Sequence, residues 1–189
     1  MAEIIQQKFV LKKGETLIVR TALPSDAKNI IQYVRTIFRE SPFMLTTEPE
    51  FTMTVEKEKQ FLQDCLKSEG KLALVAEVDN RIIGFLNFQN GNKRKIRHTG
   101  EFGMSVAQEY RNLGVGSALL KILLNWAEDN PIIEKVYLEV FAKNTAAIAL
   151  YKKMGFIEEG CKVKGVKIDQ QTYDDILLMA QFVEKGTTL

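Results

Sequence analysis

The stretch EYRNLGVGSALLKILLNWAE, residues 109–128, decides how this sequence folds and indicates what it binds. Apolar residues at helical spacing predict an amphipathic helix over residues 114–128 that packs its apolar stripe on a core. Gly114 and Gly116 begin this helix, although glycine in a helical turn costs about 1 kcal/mol relative to alanine. Helix stability therefore does not explain the two glycines.

The start of this helix has the chemistry of a phosphate site. A helix N-terminus presents unpaired N–H groups and a partial positive charge, and glycines let an anion approach the backbone. Arg111 adds a cation at the same turn. A Walker loop does not fit, because Ser117-Ala118 replaces its Lys and Ser/Thr, and Leu119 replaces the third glycine of a dinucleotide-binding turn. A strand-to-helix turn without a ligand is the structural alternative.

The segments around this turn predict an α/β protein with a mixed sheet. Strands are predicted at 17–23 (with 8–11 as a candidate partner), 71–78, 81–89, 99–106, 135–142, 156–167 and 172–183, and helices at 24–40, 54–68, 114–128 and 144–154.

Tight turns predict antiparallel hairpins, whereas the strand–helix–strand unit 99–142 predicts one parallel pair. We therefore predict a mostly antiparallel central sheet of about seven strands, flanked by four helices, with one splayed parallel pair. A single domain over residues 1–189, with its core at about 17–183, accounts for all these segments.

Composition excludes several classes of protein. The formal net charge of +2 is too small to favour a nucleic-acid or membrane partner. No apolar run approaches the ~18 residues that span a bilayer, and the first residues lack a signal-peptide pattern, so we expect a cytoplasmic protein. Cys65, His98 and Cys161 are too few and too far apart for a metal site, and we expect none.

Two motifs in order resemble those of one enzyme family. Arg-Asn-Leu-Gly-Val-Gly at 111–116 is similar to the Arg/Gln-x-x-Gly-x-Gly/Ala motif of the GNAT superfamily of acyl-CoA N-acyltransferases. Further on, a strand, an Asn and Ala-x-x-L-Y-x-x-x-G-F are typical of that family, and YLEVFAKNTAAIALYKKMGF at 137–156 matches them. The strand YLEV and its helix especially resemble the bacterial enzymes that acetylate the N-terminal amine of ribosomal proteins.

The resemblance implies a GNAT fold with acetyl-CoA lying between strands 99–106 and 135–142, where the parallel pair separates. The pantetheine arm would pair, like an extra strand, with Met104, Ser105 and Val106. Asn144 would cap its helix and help to hold the cofactor. The pyrophosphate would bind near Arg111, on the N–H groups of Asn112, Leu113, Gly114, Val115, Gly116 and Ser117.

The implied chemistry is attack of a neutral amine on the thioester, which requires a base, oxyanion donors and an acid for the thiolate. Tyr151 matches the acid of the family. Glu139 resembles the base proposed for the N-terminal acetylating branch, and Glu101 on the preceding strand is the second candidate. A water relay without a dedicated base is the third alternative.

The resemblance thus implies a bacterial-type N-acetyltransferase that moves acetyl from acetyl-CoA to a primary amine in a ternary complex. Dimers are frequent in the family, so a homodimer is allowed. A non-catalytic acyl-CoA sensor on the same fold is the alternative. The loop 41–53, with Glu48 and Glu50, resembles the region that lines the family's acceptor pocket, and its acids could favour a cationic amine. The basic run 93–98 is expected to be a solvated loop.

Overall fold

The computed structural model describes residues 4–185 and contains one eight-stranded sheet and four α-helices. The strands are β1 Gln7–Val10, β2 Thr16–Thr21, β3 Lys71–Val78, β4 Arg81–Asn90, β5 Thr99–Val106, β6 Lys135–Phe141, β7 Ile157–Lys167 and β8 Tyr173–Phe182. The helices are α1 Ala27–Glu40, α2 Val55–Lys67, α3 Val115–Asp129 and α4 Thr145–Lys153.

The sheet confirms the predicted fold class. Its strand order is β1-β2-β3-β4-β5-β6-β8-β7, and every neighbouring pair is antiparallel except β5 and β6, which are parallel. The count is eight rather than about seven because β1, the candidate partner strand, pairs with β2 over its whole length. Asp79 and Asn80 have φ values of 49° and 62°, as the tight turn of a two-residue hairpin requires.

Helices cover both faces of the sheet. On one face, α1 reaches β5, where the Tyr33 hydroxyl hydrogen-bonds Ser105 Oγ at 3.1 Å. On the other face, the ring of Tyr151 on α4 contacts that of Phe102, which lies three residues before Ser105 on β5 and therefore faces the opposite way. Val115 and Leu119 place α3 on this second face, because both approach Gly84 of β4.

A network of charges attaches the start of α1 to the sheet. Arg20 on β2 contacts Asp26 at 2.6 Å and Glu77 on β3 at 2.6 Å. Burial works to raise the pKa of Asp26, but hydrogen bonds from Arg20 and from the Leu23 N–H outweigh it and hold that pKa below its usual range. The network therefore fixes where α1 begins, and α1 in turn reaches β5.

The parallel pair is short. Thr99, Gly100 and Glu101 of β5 pair with Lys135, Val136 and Tyr137 of β6, and the two strands separate beyond them. The β5 residues that follow, 102–106, still pair with β4 on their other side. The sheet thus has an internal gap bordered by a free main-chain edge. Within residues 4–185, no helix has the length and apolar character needed to cross a membrane.

Candidate active site

A cavity of about 550 Å³ lies at the gap between β5 and β6. It brings together most of the residues that the sequence predicts for cofactor binding: Met104, Ser105, Val106, Arg111, Asn112, Gly114, Gly116, Ser117, Asn144 and Tyr151. Segments that are distant in the chain therefore meet at one opening, which joins the start of α3, the free edge of β5 and the inner side of α4.

Leu113 and Val115 of the predicted set do not line this cavity with their side chains. Val115 is buried in the core, and Leu113 packs against the core. The Leu113 carbonyl accepts a hydrogen bond from the Lys12 N–H at 3.4 Å, which holds the β1–β2 turn beside the glycine turn. Only the main-chain groups of these two residues are left to serve a ligand.

The two glycines of the turn have different physical reasons. Gly114 caps α3 with φ of 110°, and no atom lies within 4 Å of where a Cβ would be, so the backbone conformation and not a neighbour favours glycine here. A Cβ on Gly116 would lie 2.8 Å from Leu150 Cδ2. Gly116 therefore permits close packing of α3 against α4, a reason that the sequence interpretation did not contain.

The chemistry of the cavity fits an anion at this end. The start of α3 directs N–H groups outward, and the side chains of Lys12, Arg111 and Lys153 line the cavity. Arg111 is held in place because its Nε donates to the Val106 carbonyl at 3.1 Å. The geometry therefore offers three cations and a helix N-terminus to a phosphorylated ligand.

Helix α1 forms hydrogen bonds both to β5 and to the loop between β5 and α3. Glu40 Oε2 accepts a hydrogen bond from the Gln108 N–H at 2.9 Å, in addition to the contact between Tyr33 and Ser105. Burial raises the pKa of Tyr33 above its usual range, so this phenol is a neutral partner of Ser105. These contacts fix the free main-chain edge of β5 relative to the glycine turn at residues 111–116.

Tyr151 lines the cavity and is almost fully buried. Its side chain is 7% exposed and lies edge-on to Phe102 and Phe156, with ring centroids 5.8 and 5.9 Å away. Burial raises the pKa of Tyr151 to about 12, so the phenol is protonated at neutral pH. Asn144 caps the same helix, since its Oδ1 accepts from the Ala147 N–H at 3.3 Å.

The two candidate bases lie on the opposite face of the sheet from Tyr151. Glu101 is paired with Tyr137 at the last rung before the gap, and Glu139 is two residues further along β6. Glu139 forms an ion pair with Lys162 of β7. Burial, and then the charge of Glu139, raise the pKa of Glu101, while Lys162 acts in the opposite direction. Neither carboxylate lines the cavity, so only the gap connects them with Tyr151.

Comparison with known proteins relates this chain to a family of enzymes. The family model of the Acetyltransferase (GNAT) family matches residues 31–156. The chain belongs to this family. An N-alpha-acetyltransferase of Sulfurisphaera tokodaii is 30% identical over 181 residues, which cover 89% of this chain and 95% of that protein. Together the family and this relative identify an N-acetyltransferase enzyme.

Solved acetyltransferase structures share the fold. A GNAT-family acetyltransferase from Streptococcus pneumoniae superposes with a TM-score of 0.85 at 28% identity, covering 89% of this chain and 99% of that one. The protein yncA from Salmonella typhimurium, solved with acetyl-CoA, has a TM-score of 0.77 at 17% identity, covering 91% of this chain and 96% of that one. The second likeness concerns the fold alone.

In this acetyltransferase, one wall of the cavity is apolar and includes part of loop 41–53, the segment that the resemblance implied for the acceptor pocket, although no individual residue was predicted. It consists of the end of α1 and the loop after it, through Ile37, Phe43 and Met44. Phe43 is held against Phe141 of β6, with ring centroids 5.8 Å apart. The loop that contains Phe43 and Met44 has no hydrophobic periodicity, so the sequence alone does not indicate where these two side chains lie.

The loop acids, in contrast, are engaged within their own segment. Glu48 contacts Arg39 at 2.6 Å, and Glu50 accepts hydrogen bonds from the N–H and the hydroxyl of Thr47. The ion pair neutralises Glu48, whereas the hydrogen bonds of Glu50 come from neutral groups and leave its charge in place.

The remaining predicted features are peripheral. In the part of the chain that the structure describes, no three His, Cys, Asp or Glu side chains are grouped as metal ligands would be. Cys65 is buried and Cys161 is exposed, and both are free thiols. Lys93, Arg94, Lys95 and Arg97 of the basic run are exposed in the β4–β5 loop.

Proposed function

We propose that this enzyme transfers the acetyl group of acetyl-CoA to a primary amine by direct attack within a ternary complex. The observation that carries the proposal is the gap between β5 and β6, which ends at the pair Glu101–Tyr137. Here the cavity that contains Tyr151 opens toward the sheet face that presents Glu101 and Glu139. A thioester in the gap would be within reach of groups from both faces.

The donor would bind along the cavity as the resemblance implies. Its phosphates suit the N–H groups at the start of α3 and the cations Lys12, Arg111 and Lys153, which all line the cavity. Its pantetheine amides suit the free main-chain edge of residues 102–106, because that edge lacks a partner strand.

The reaction removes two protons from the ammonium nitrogen and supplies one to the thiolate. The acceptor ammonium gives its first proton to a carboxylate, either Glu101 or Glu139, or to a water held by them. The neutral amine nitrogen then attacks the carbonyl carbon, an amide C–N bond forms and the C–S bond breaks, and the nitrogen releases its second proton to solvent, which in turn reprotonates Tyr151 after it has acted. The Tyr151 hydroxyl donates its proton to the departing thiolate, which is consistent with a pKa raised by burial to about 12.

We propose an α-amine, of a peptide or an amino acid, as the acceptor. Support comes from the relative named N-alpha-acetyltransferase, which matches along 95% of its own length. It also comes from Glu48, whose ion pair with Arg39 neutralises one of the two acids in the loop that a polyamine could use.

We place the enzyme in the cytoplasm as a single domain over residues 1–189. Support comes from the two free thiols, of which Cys161 is exposed. It also comes from the single sheet, whose strands extend from Gln7 to Phe182.

The testing experiment measures thiol release from acetyl-CoA with short peptides, free amino acids, spermidine and an aminoglycoside as acceptors. The matched control for each peptide is the same peptide with its N-terminus acetylated. We expect turnover with a free α-amine and none with the blocked peptide. Turnover with spermidine alone would remove the α-amine assignment. Binding of acetyl-CoA without turnover on any amine would favour a sensor, and absence of binding would overturn the proposal.

A further inference from the structure

Four ionisable side chains share the sheet face at the gap, on three different strands. Glu101 belongs to β5, Tyr137 and Glu139 to β6, and Lys162 to β7. Their charges act on one another, because burial and both carboxylates raise the pKa of Tyr137 while Lys162 lowers it. The residue of β8 between Glu139 and β7 is Leu178, which has no charge. These four groups therefore form one cluster on that face.

The cluster is asymmetric. Lys162 Nζ contacts Oε1 of Glu139, which leaves Oε2 of that carboxylate without a bond to a cation. Among the described residues 4–185, no Lys or Arg forms an ion pair with Glu101. Two carboxylates with such different partners are suited to different tasks, since a proton acceptor must not be neutralised by a fixed cation.

We propose that Lys162 gives the two carboxylates separate roles, so that Glu139 holds the ammonium of the acceptor and Glu101 accepts its proton. Lys162 is a positioning residue in this scheme, because it acts through Glu139. The inference rests on the proposed function and deepens it by choosing between the candidate bases. The free Oε2 of Glu139 receives the ammonium, and Glu101, across the gap, removes one proton and leaves the neutral amine.

The electrostatics of Glu101 fit the role of base. Burial and the negative charge of Glu139 raise its pKa, which brings the carboxylate closer to the pH at which the enzyme works. Lys162 opposes this effect. Removal of Glu139 and removal of Lys162 should therefore change the pKa of Glu101 in opposite directions.

The test is the pH dependence of kcat at saturating acceptor, measured with a short peptide that has a free N-terminal serine. We expect E101Q to lose the acid limb, with kcat lowered about 100-fold. E139Q should keep the limb and displace it to lower pH, with a raised KM for the peptide. K162Q should displace it to higher pH by about half a pH unit or more, and K162R should restore it.

Lys135 supplies a matched control. It contacts Glu159 of β7 at 2.7 Å and so joins the same two strands, β6 and β7, without touching Glu101 or Glu139. K135Q should leave the limb where it is in the wild type. A purely structural role for Lys162 would give K135Q and K162Q the same profile, and that result would overturn the proposal. Loss of the limb in E139Q, with a mere displacement in E101Q, would make Glu139 the base and overturn it as well.

A second readout needs no turnover. The pKa of Glu101 can be followed by carboxyl carbon NMR in the whole protein without an acceptor, and it should fall in E139Q and rise in K162Q. If wild type acetylates none of the acceptors but these displacements occur, the proposed function fails while the electrostatic split stands. If wild type turns over and the pKa of Glu101 is unaffected by both changes, the split fails alone.

Discussion

Gly116 lies directly against Leu150: a Cβ on this glycine would come within 2.8 Å of Leu150 Cδ2. The two residues belong to α3 and α4, the helices that follow the parallel strands β5 and β6. Because Tyr151 is the next residue after Leu150, the packing that glycine permits also determines where the phenol stands. The turn that suits phosphates and the side chain that suits a leaving thiolate are thus joined by one contact.

This contact predicts a selective rescue. G116A should shift the end of the Leu150 side chain, which lines the cavity, and so raise the Kd for acetyl-CoA and lower kcat modestly. Shortening the opposing side chain in the double variant G116A/L150A should recover part of both losses. G114A is the control, because its cost comes from a φ of 110° and not from a neighbour. If L150A rescued both glycine variants equally, packing at Gly116 would not be the cause.

Tyr151→Phe should separate chemistry from binding. Removing the hydroxyl while keeping the ring contacts with Phe102 and Phe156 should lower kcat about tenfold or more and leave the Kd for acetyl-CoA nearly unchanged. Because burial raises the pKa of Tyr151 to about 12, wild-type kcat should show no loss from its ionisation up to about pH 10. An unchanged kcat in a chemistry-limited assay would remove Tyr151 from the acid role.

Lys12 was not among the predicted site residues, yet its side chain lines the cavity. K12Q should raise the Kd for acetyl-CoA about fivefold, corresponding to ~1 kcal/mol for an exposed charge contact, and the penalty should shrink at high salt. Lys121, exposed on α3 and outside the cavity, provides K121Q as the charge-matched control. Titration calorimetry at two ionic strengths makes the comparison, and equal affinities for the two variants would contradict it.

Glu58 should make stability depend on pH. It is 6% exposed, its Oε1 has no hydrogen-bond partner, and burial raises its pKa in the folded state above the unfolded value. The folded state therefore binds its proton more tightly, and the wild type gains stability relative to E58Q below the unfolded pKa. That gain should disappear as the pH rises through the folded pKa. Urea unfolding at about pH 4 and at neutral pH measures it, and a pH-independent difference would rule it out.

Among partly exposed residues away from the cavity, replacement of Arg20 should reduce the stability of the protein the most. R20Q leaves Asp26 and Glu77 without their cation in a site where their side chains are 12% and 13% exposed, so we expect a loss of about 2 kcal/mol in unfolding free energy. R20K should lie between, because one ammonium cannot make the paired contacts of a guanidinium. Since α1 starts at this network, R20Q should also raise the Kd for acetyl-CoA.

The sequence predicted the parts of the fold that depend on local periodicity. Strand alternation, the turn at Asp79-Asn80 and the Asn144 cap are short-range patterns, and the observed elements lie within a few residues of their predicted bounds. The gap could also be expected, because the resemblance to GNAT enzymes implies it.

Contacts that depend on register or on loop conformation could not be predicted. Lys162 lies on the sheet face of Glu139 because the β7–β8 pairing shifts register between Glu158 and Gly160, so that Lys162 pairs with Ile176. The position of Phe43 is set by its contact with Phe141, and the loop around Phe43 has no hydrophobic periodicity from which that contact could be predicted. Long-range partners of this kind are set by the assembled sheet.

The brevity of the parallel pair has a mechanical meaning. Three rungs, ending at Glu101–Tyr137, join a five-stranded part of the sheet to a three-stranded part. A ligand bound in the gap beyond the last rung would connect the two parts of the sheet. Without it, only the three paired positions hold the two parts together, and they can move relative to each other. Donor binding should therefore slow amide exchange in β6 and β8, far from any phosphate contact. The bound donor would thus complete the sheet whose residues then act on it.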